Sequence, residues 1–281
     1  MKIVIKMPVR SLLFFLLVMI QVSVNGQTVK TFSSLADALS SKGEVLRLDL
    51  SKQDLTILSP EIGKLESLEY LNLEQNMLLE LPAEIGKLNN LKELILKRNQ
   101  KLILPDELWK LNKLEYLNIS KIQLKEMPSG IGKLKHLKKL DLFCNMLTTL
   151  PPEIAKLKKL EFINLGNNRG FTLPDEFVRL ESLQKLYMVN CKTSRIPEEF
   201  GMLDNLTDLS LRSCSFILLP PQVFDLERIK IIDFRDNQIT RLPEMVSKPI
   251  DLTTLRLEGN TLTKEDQSKL VKQLNGVSIL Y

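Results

Sequence analysis

Residues 68–90 read LEYLNLEQNMLLELPAEIGKLNN, and this pattern recurs along most of the 281-residue chain. The unit is L-x-x-L-x-L-x-x-N followed by L-P-x-E-I-G-K-L or a close variant, and its period is 23 residues. Its first apolar position holds Val45, Leu68, Leu91, Leu114, Leu137, Leu160, Leu183, Leu206, Ile229 and Leu252. The second holds Leu48, Leu71, Leu94, Leu117, Leu140, Ile163, Leu186, Leu209, Ile232 and Leu255. The third holds Leu50, Leu73, Leu96, Ile119, Leu142, Leu165, Met188, Leu211, Phe234 and Leu257. All thirty positions are apolar although 44% of the chain is hydrophobic, so the pattern predicts an array of structural repeats.

Each unit predicts a short strand followed by a turn. The leucines of x-L-x-L-x alternate with variable residues, which is the period-two pattern of a strand with one apolar face. One unit cannot bury that face alone, but stacked units bury it against each other, with parallel strands about 4.8 Å apart. Proline then stops strand pairing and leads into a short helical or 3-10 turn on the outer side. It fills the same place in eight successive repeats: Pro82, Pro105, Pro128, Pro151, Pro174, Pro197, Pro220 and Pro243.

The polar position that ends each strand, which we call the ladder position, predicts a buried amide. An amide there can donate to and accept from the turn backbone, and this satisfies the polar groups where the strand ends. The position holds Gln53, Asn76, Asn99, Ile122, Asn145, Asn168, Cys191, Cys214, Asn237 and Asn260.

With these motifs, residues 45–262 resemble a leucine-rich repeat solenoid of the 23-residue L-P-x-E-I-G-x-L type. The resemblance implies an α/β solenoid, a curved right-handed coil with a parallel β-sheet on its concave face and short helical or 3-10 turns on its convex side. It also implies that the concave sheet is the usual partner surface. The sequence departs from the pattern at Ile122, which lacks the ladder amide, and at Ser59, where the proline is shifted to Pro60.

The segments on either side of the repeats predict caps for the two ends of the solenoid. Residues 27–44 contain a serine, an amphipathic stretch over 31–39 and then Gly43, which predicts a capping helix. Residues 263–281 predict a helix that Thr263 opens and Asn275-Gly276 ends, with Leu270, Val271 and Leu274 facing inward, followed by a last strand or extended tail. Recognition helices are the alternative, but the terminal repeats would otherwise expose apolar surface, which favours caps.

The first 26 residues predict a secretory signal peptide. A basic start that ends at Arg10 precedes the apolar stretch SLLFFLLVMIQVSV, and cleavage after Gly26 leaves a chain that begins at Gln27. The alternative is a membrane anchor, but spanning the hydrocarbon core needs about 20 apolar residues and Gln21 interrupts this stretch. We therefore expect a secreted or periplasmic protein with no stable membrane insertion after cleavage.

The composition argues against most catalytic and nucleic-acid functions. Lys and Arg number 39 against 34 Asp and Glu, and the leader holds three of the basic residues and no acid, so 36 face 34 beyond it. This gives no basis for nucleic-acid binding, which needs clustered positive charge. His136 is the only histidine, and no Cys, His and Asp spacing resembles a metal site. We expect no catalysis, no cofactor and no metal.

The three cysteines leave two interpretations. Cys191 and Cys214 lie one repeat apart at the ladder position, close enough for a disulfide in an exported protein. Parallel ladder side chains point alike, however, and a small buried Cys can replace the ladder Asn, so we favour reduced thiols. Cys144 is left unpaired at the edge of the concave face.

Two further features have a functional and a structural interpretation. Seven lysines within two repeats suggest an anionic partner or, as we prefer, a solvated outer face. They are Lys133, Lys135, Lys138, Lys139, Lys156, Lys158 and Lys159. Trp109 replaces the glycine found at Gly86 and Gly132 and suggests a second contact site or, as we prefer, packing against a neighbouring turn on the convex side.

Apolar residues at exposed strand positions of repeats four to seven predict the partner-binding site. They are Tyr116, Phe143, Phe162, Tyr187 and Val189, with Arg212 as a polar rim. We call these six residues the aromatic patch. Gly166 lies between Phe143 and Val189 in one column, which predicts a hollow with apolar walls. The alternative is that Tyr70, Tyr116 and Phe162, spaced 46 residues apart, are relics of a duplicated pair of repeats.

Two classes of function remain, an interaction module and an enzyme or its recognition part. The segments 27–44 and 263–281 are too short for a catalytic domain. We therefore expect an exported, non-catalytic protein-protein interaction module that binds a partner on its concave face. The alternative is a glycan-binding adhesin or the recognition subunit of an enzyme complex.

Overall fold

The computed structural model of the protein describes residues 23–24, 27–244 and 249–281, and these fall into two units, Met1–Lys30 and Thr31–Tyr281. In the first unit, strands β1 (Ser23–Val24) and β2 (Gln27–Thr28) pair antiparallel. The predicted signal peptide and its cleavage site after Gly26 lie outside the described residues apart from β1. No helix in the described ranges is long and apolar enough to cross a membrane.

The second unit is built around one twelve-stranded parallel sheet, with one strand from each of the ten repeats and one from each flanking segment. Its strands follow chain order from one edge of the sheet to the other. They are β3 (Thr31–Phe32), β4 (Arg47–Asp49), β5 (Tyr70–Asn72), β6 (Glu93–Ile95), β7 (Tyr116–Asn118), β8 (Lys139–Asp141), β9 (Phe162–Asn164), β10 (Lys185–Tyr187), β11 (Asp208–Ser210), β12 (Ile231–Asp233), β13 (Thr254–Arg256) and β14 (Ser278–Leu280).

The register of the sheet follows the sequence period. Leu94 pairs with Leu117 and Leu117 with Leu140, so neighbouring strands are offset by one repeat and equivalent residues form columns. These middle residues are fully buried in the hydrophobic core. Burying each such leucine contributes about 1.5–3 kcal/mol, so the stacked columns hold the repeats together.

On the convex side each of the first eight repeats has one 3-10 helix, as the sequence predicted. In the turn at Ala83–Lys87 the Ile85 N–H donates to Pro82 O, and Leu88 N–H then donates to Ile85 O. The helices are Pro60–Lys64, Ala83–Lys87, Asp106–Lys110, Ser129–Lys133, Pro152–Lys156, Asp175–Arg179, Glu198–Met202 and Pro221–Phe224. At the shifted proline, Ser59 caps the first of them by accepting from Glu61 N–H.

The ladder amides bond the turn backbone of two repeats at once. Asn76 Nδ2 donates to Leu50 O at 2.8 Å and to Leu73 O at 3.0 Å, and its Oδ1 accepts from Gln53 N–H and Leu55 N–H. The buried Cys191 and Cys214 take over part of this role, since each thiol donates to a carbonyl of the preceding repeat. Ile122 is buried and makes no such side-chain bond, and Asn145 Oδ1 accepts from its N–H instead.

A helix stands at each end of the second unit, and two details differ from the sequence expectations. Helix α1 spans Leu35–Ser40 with Ser34 as its N-cap, but Thr31–Phe32, predicted as part of this helix, is a strand paired with β4. Helix α2 spans Lys264–Gln273 and its N-cap Thr263 accepts from Asp266 N–H. Leu270 and Leu274 are buried as predicted, but Val271, which was also expected to face inward, is 52% exposed.

Candidate functional site

Strands β7, β9 and β10, together with the residues that follow β8, β10 and β11, carry the aromatic patch. Tyr116 pairs with Lys139, Lys139 with Phe162, and Phe162 with Lys185, so two aromatic residues and two lysines alternate in one row across the sheet. Because side chains of a strand alternate between its faces, the row points away from the core while its leucine neighbours point into it. The repeat period therefore brings residues from four repeats onto one surface.

Phe162 and Tyr187 form the centre of the patch. Their ring centroids lie 5.5 Å apart and the rings meet edge to face at 89°. Phe162 starts its strand and Tyr187 ends the next one, so the contact runs diagonally across the sheet. Both side chains are half-buried and stay accessible on the concave face. Such pairs contribute about 0.5–1.5 kcal/mol beyond their area, which holds the two rings in place before any partner arrives.

The predicted hollow at Gly166 is wrong, because Phe143 leans over the glycine. A Cβ atom on Gly166 would lie 3.2 Å from Phe143 Cδ2 and 3.2 Å from Val189 O. Gly166 is buried, whereas Phe143 and Val189 are half-buried. The missing side chain thus makes room for the Phe143 ring, and the surface there is an apolar ridge.

Tyr116 is the most constrained member of the patch. Its hydroxyl accepts a hydrogen bond from Asn118 Nδ2 at 3.0 Å. Burial is the main cause that raises the pKa of its hydroxyl, to about 12. The ring is therefore packed against the sheet and contributes more to folding than an exposed ring would.

Arg212 follows Val189 in the same column, one repeat further along the chain. Its Nε donates to Asp236 Oδ2 at 2.7 Å, in an ion pair between neighbouring repeats. The guanidinium is thus positioned by the protein itself, and the pair closes one side of the patch.

A row of polar residues at the strand ends below the patch was not predicted from the sequence. Asn118, Asp141 and Asn164 each use Oδ1 to accept the N–H of the residue two positions on, at 3.0–3.1 Å. Asp141 is buried, and burial raises the pKa of its carboxyl. The recurrent Asn or Asp at this position was the signal, since such side chains bond the backbone locally. These residues shape the backbone under the patch.

The other candidate residues are not part of the patch. The exposed His136 places Nδ1 2.9 Å from Asn112 O. Trp109 is buried and packs against Gly130 on the convex side, as preferred from the sequence. Cys144 is exposed, and no cluster of metal-binding side chains occurs in the part of the chain that the structure describes.

The preferred outer-face interpretation is wrong for Lys139, which lies in strand β8 of the concave sheet, whereas Lys135, Lys156 and Lys158 line a shallow convex depression together with acidic residues. Its volume is about 530 Å³, and it is lined by Lys135, Pro152, Glu153, Ala155, Lys156, Lys158, Glu176 and Arg179. Lys158 Nζ donates to Glu181 Oε1 at 2.6 Å. The lysines are thus interleaved with carboxylates, which weakens the case for an anion site on this side.

The fold and the family comparison define the class of the protein. A family model described as a leucine-rich repeat region matches residues 105–216, and one described as a leucine-rich repeat matches residues 67–88. No curated protein is significantly similar in sequence. The protein is thus a solenoid of the leucine-rich repeat type. Its repeats are leucine-rich repeats.

Solved structures share this fold. An internalin from Listeria monocytogenes superposes with a TM-score of 0.69 at 21% identity, over 84% of this chain and 66% of the internalin. The plant peptide hormone receptor RGFR1, in complex with RGF2, has a TM-score of 0.63 at 24% identity, over 89% of this chain and 44% of the receptor. TLR13, in complex with ssRNA13, has a TM-score of 0.72 at 25% identity, over 84% of this chain and 35% of TLR13. The chain therefore spans two thirds or less of each of these structures.

Proposed function

We propose that this protein is an exported, non-catalytic interaction module that binds a protein partner through the aromatic patch on its concave face. The observation that carries the proposal is the half-buried Phe162–Tyr187 pair, held edge to face on a regular sheet. Interface hot spots are enriched in aromatic residues and Arg, and rings that are already positioned lose little entropy on binding.

The surroundings of the pair support a continuous contact surface. Phe143 and Val189 extend the apolar area, and Arg212 provides a charged rim. The plant receptor and TLR13 share the fold and were solved with bound ligands, which fits a solenoid of this type as a recognition scaffold. The nearly balanced charge beyond the leader favours a protein over a nucleic acid as the partner.

A catalytic role has little support on this surface. Cys144 is the exposed thiol beside the patch, and activating a cysteine needs a neighbouring base. The single histidine, His136, contacts Asn112 in the preceding repeat instead. We therefore assign the concave face to binding.

The test is alanine substitution of Phe143, Phe162 and Tyr187, with affinity measured against a partner recovered by pull-down with the protein. Each change should weaken binding by about 1–3 kcal/mol. Melting temperature is measured alongside, because half-buried rings also contribute to packing.

Tyr70→Ala is the matched control. Tyr70 occupies the same strand position two repeats before Tyr116, outside the patch, with the Arg47 guanidinium 3.8 Å from its ring centroid. It should leave the affinity unchanged. If the three patch variants bind like the control, or lose binding only in proportion to unfolding, the patch is not the site.

A further inference from the structure

The aromatic patch is surrounded by lysines that lack close carboxylate partners. Among the residues that the structure describes, Lys121 and Lys139 have no carboxylate oxygen within 4.0 Å of Nζ. Lys185 has one at the limit of an ion pair, Asp208 Oδ2 at 4.0 Å. The protein therefore leaves three positive charges beside the patch with little internal compensation.

Other lysines and arginines of the repeats form ion pairs with carboxylates of neighbouring repeats. Lys97 Nζ lies 3.0 Å from Glu74, Lys138 Nζ lies 2.8 Å from Glu115, and Arg212 Nε lies 2.7 Å from Asp236. Pairs between adjacent repeats are thus common on this surface. Lys121 and Lys139 take no part in such a pair among the described residues, and the same holds for Arg47 on β4.

Accessible negative charge is scarce within the patch itself. The outward positions of the four repeats from β7 to β10 contain one carboxylate, Asp141, which is buried. Glu115 and Glu161 flank the patch in the row at the strand starts, where both interact with Lys138. Apart from Asp208, whose carboxylate lies beside Lys185 and acts on Tyr187, the exposed surface over Phe143, Phe162 and Tyr187 is therefore positive and apolar.

Two details add to this chemistry. Lys121 Nζ lies 5.7 Å from the centroid of the Phe143 ring, so the lysine is held over the apolar ridge. The Tyr187 hydroxyl makes no hydrogen bond within the described part of the chain. A carboxylate that enters here meets ammonium groups and a hydroxyl donor beside apolar rings.

From this charge complementarity we propose that the aromatic patch binds an extended acidic segment of its protein partner, with an apolar side chain against Phe162 and Tyr187 and carboxylates facing Lys139, Lys185 and Lys121. This inference rests on the proposed function and specifies its ligand. Lys139 and Lys185 lie two strands apart, roughly 10 Å, which an extended chain covers in about three residues. The matching segment therefore presents two acidic side chains roughly 10 Å apart with an apolar side chain between them.

A glycan fits this surface less well. Phe162 and Tyr187 stand at 89° to each other, so they present no continuous flat face for a sugar ring to stack on. The apolar ridge of Phe143 over Gly166 likewise suits a compact side chain. A peptide supplies both the apolar group and the charges from one short stretch.

The experiment is a selection of phage-displayed random linear peptides on the full-length protein, followed by fluorescence anisotropy with a labelled enriched peptide. The peptides should be acidic with an embedded apolar residue. The double variant Lys139→Glu/Lys185→Glu should weaken binding by about tenfold or more, and added salt should weaken it in the same direction.

The control is Lys133→Glu/Lys159→Glu, which makes the same change in net charge outside the patch. Lys133 ends a convex 3-10 helix, and both lysines are exposed. This variant should bind the peptide as the unmodified protein does. An equal loss in both double variants would mean a non-specific charge effect and would overturn the inference.

The remaining outcomes separate this inference from the proposed function. Enriched peptides without acidic residues that still lose binding in Phe162→Ala would overturn the acidic segment and leave the patch as the binding site. Peptides that bind the Phe162→Ala and Tyr187→Ala variants as tightly as the unmodified protein would overturn both the acidic segment and the patch as the binding site. A selection that enriches nothing, while a sulfated polysaccharide binds through Lys139 and Lys185, would replace the peptide with a glycan ligand.

Discussion

Asn168 is fully buried, and its amide serves three backbone groups. Nδ2 donates to Leu142 O at 3.0 Å and to Leu165 O at 2.7 Å, and Oδ1 accepts from Leu147 N–H at 3.1 Å. Cys191 holds the same position one repeat on, and its thiol donates to Leu165 O at 3.2 Å. A ladder asparagine therefore satisfies more buried polar groups than a ladder cysteine does.

This difference predicts unequal costs of truncation. Asn168→Ala should lower the free energy of unfolding by about 3 kcal/mol, because it leaves several buried groups unsatisfied. Cys191→Ala should cost about 1 kcal/mol, since a thiol is a weak donor. Urea unfolding of both variants measures the two losses. Equal losses would show that the amide adds nothing beyond packing.

A second prediction at the scale of the residue concerns the reactivity of the three cysteine thiols. Cys191 and Cys214 are free in the structure, and burial raises the pKa of Cys191 to about 12 and that of Cys214 to about 11. Because the thiolate is the reactive form, iodoacetamide at neutral pH should modify only the exposed Cys144 in the native protein. Under denaturing, non-reducing conditions it should modify three cysteines. Modification of one cysteine in denaturant would reveal a Cys191–Cys214 disulfide.

At the scale of the element, adjacent 3-10 helices match large and small residues. A Cβ atom on Gly86 would lie 2.9 Å from Glu107 Cβ in the next repeat, so glycine is needed there. In the following pair the sizes are exchanged, because Trp109 takes the glycine position and Gly130 takes the glutamate position. A Cβ atom on Gly130 would lie 2.2 Å from Trp109 Cδ1. The turns therefore stack through pairwise complementarity between repeats.

This exchange predicts coupling between the two positions. Gly130→Glu should destabilise the protein by about 1–3 kcal/mol through overpacking against Trp109. In a Trp109→Gly background the same substitution should cost much less, because the double variant recreates the Gly86–Glu107 pair. Urea unfolding of the two single variants and the double variant gives the coupling energy. Additive losses would mean that Trp109 and Gly130 do not pack on each other as described.

At the scale of the whole molecule, the N-terminal leader predicts that the protein is exported. The basic start, the apolar stretch and the small residue before Gln27 predict removal of residues 1–26, which leaves 281 − 26 = 255 residues. Mass spectrometry of the product from a secreting host should find an N-terminus near Gln27. Replacing the central Leu16 and Leu17 with Arg should abolish export and processing. An intact Met1–Arg10 segment on a cytosolic protein would contradict the prediction.

The sequence alone determined the repeat architecture, the buried columns, the register of the sheet and the convex turns. These follow from a local pattern repeated with a constant period, because each repeat can bury its apolar face only by stacking on its neighbours. The aromatic residues of the concave face could be named for the same reason, since period-two alternation decides which side chains point outward.

Only the tertiary structure decided how side chains of different repeats meet. It placed the Phe143 ring over Gly166 and removed the expected hollow, and it made Thr31–Phe32 the first strand of the sheet where a helix was expected. It also left Lys121 and Lys139 without carboxylate partners among the described residues while pairing Lys138 with Glu115. These outcomes depend on side-chain orientation and on contacts between residues about a full repeat apart, and no local pattern encodes them.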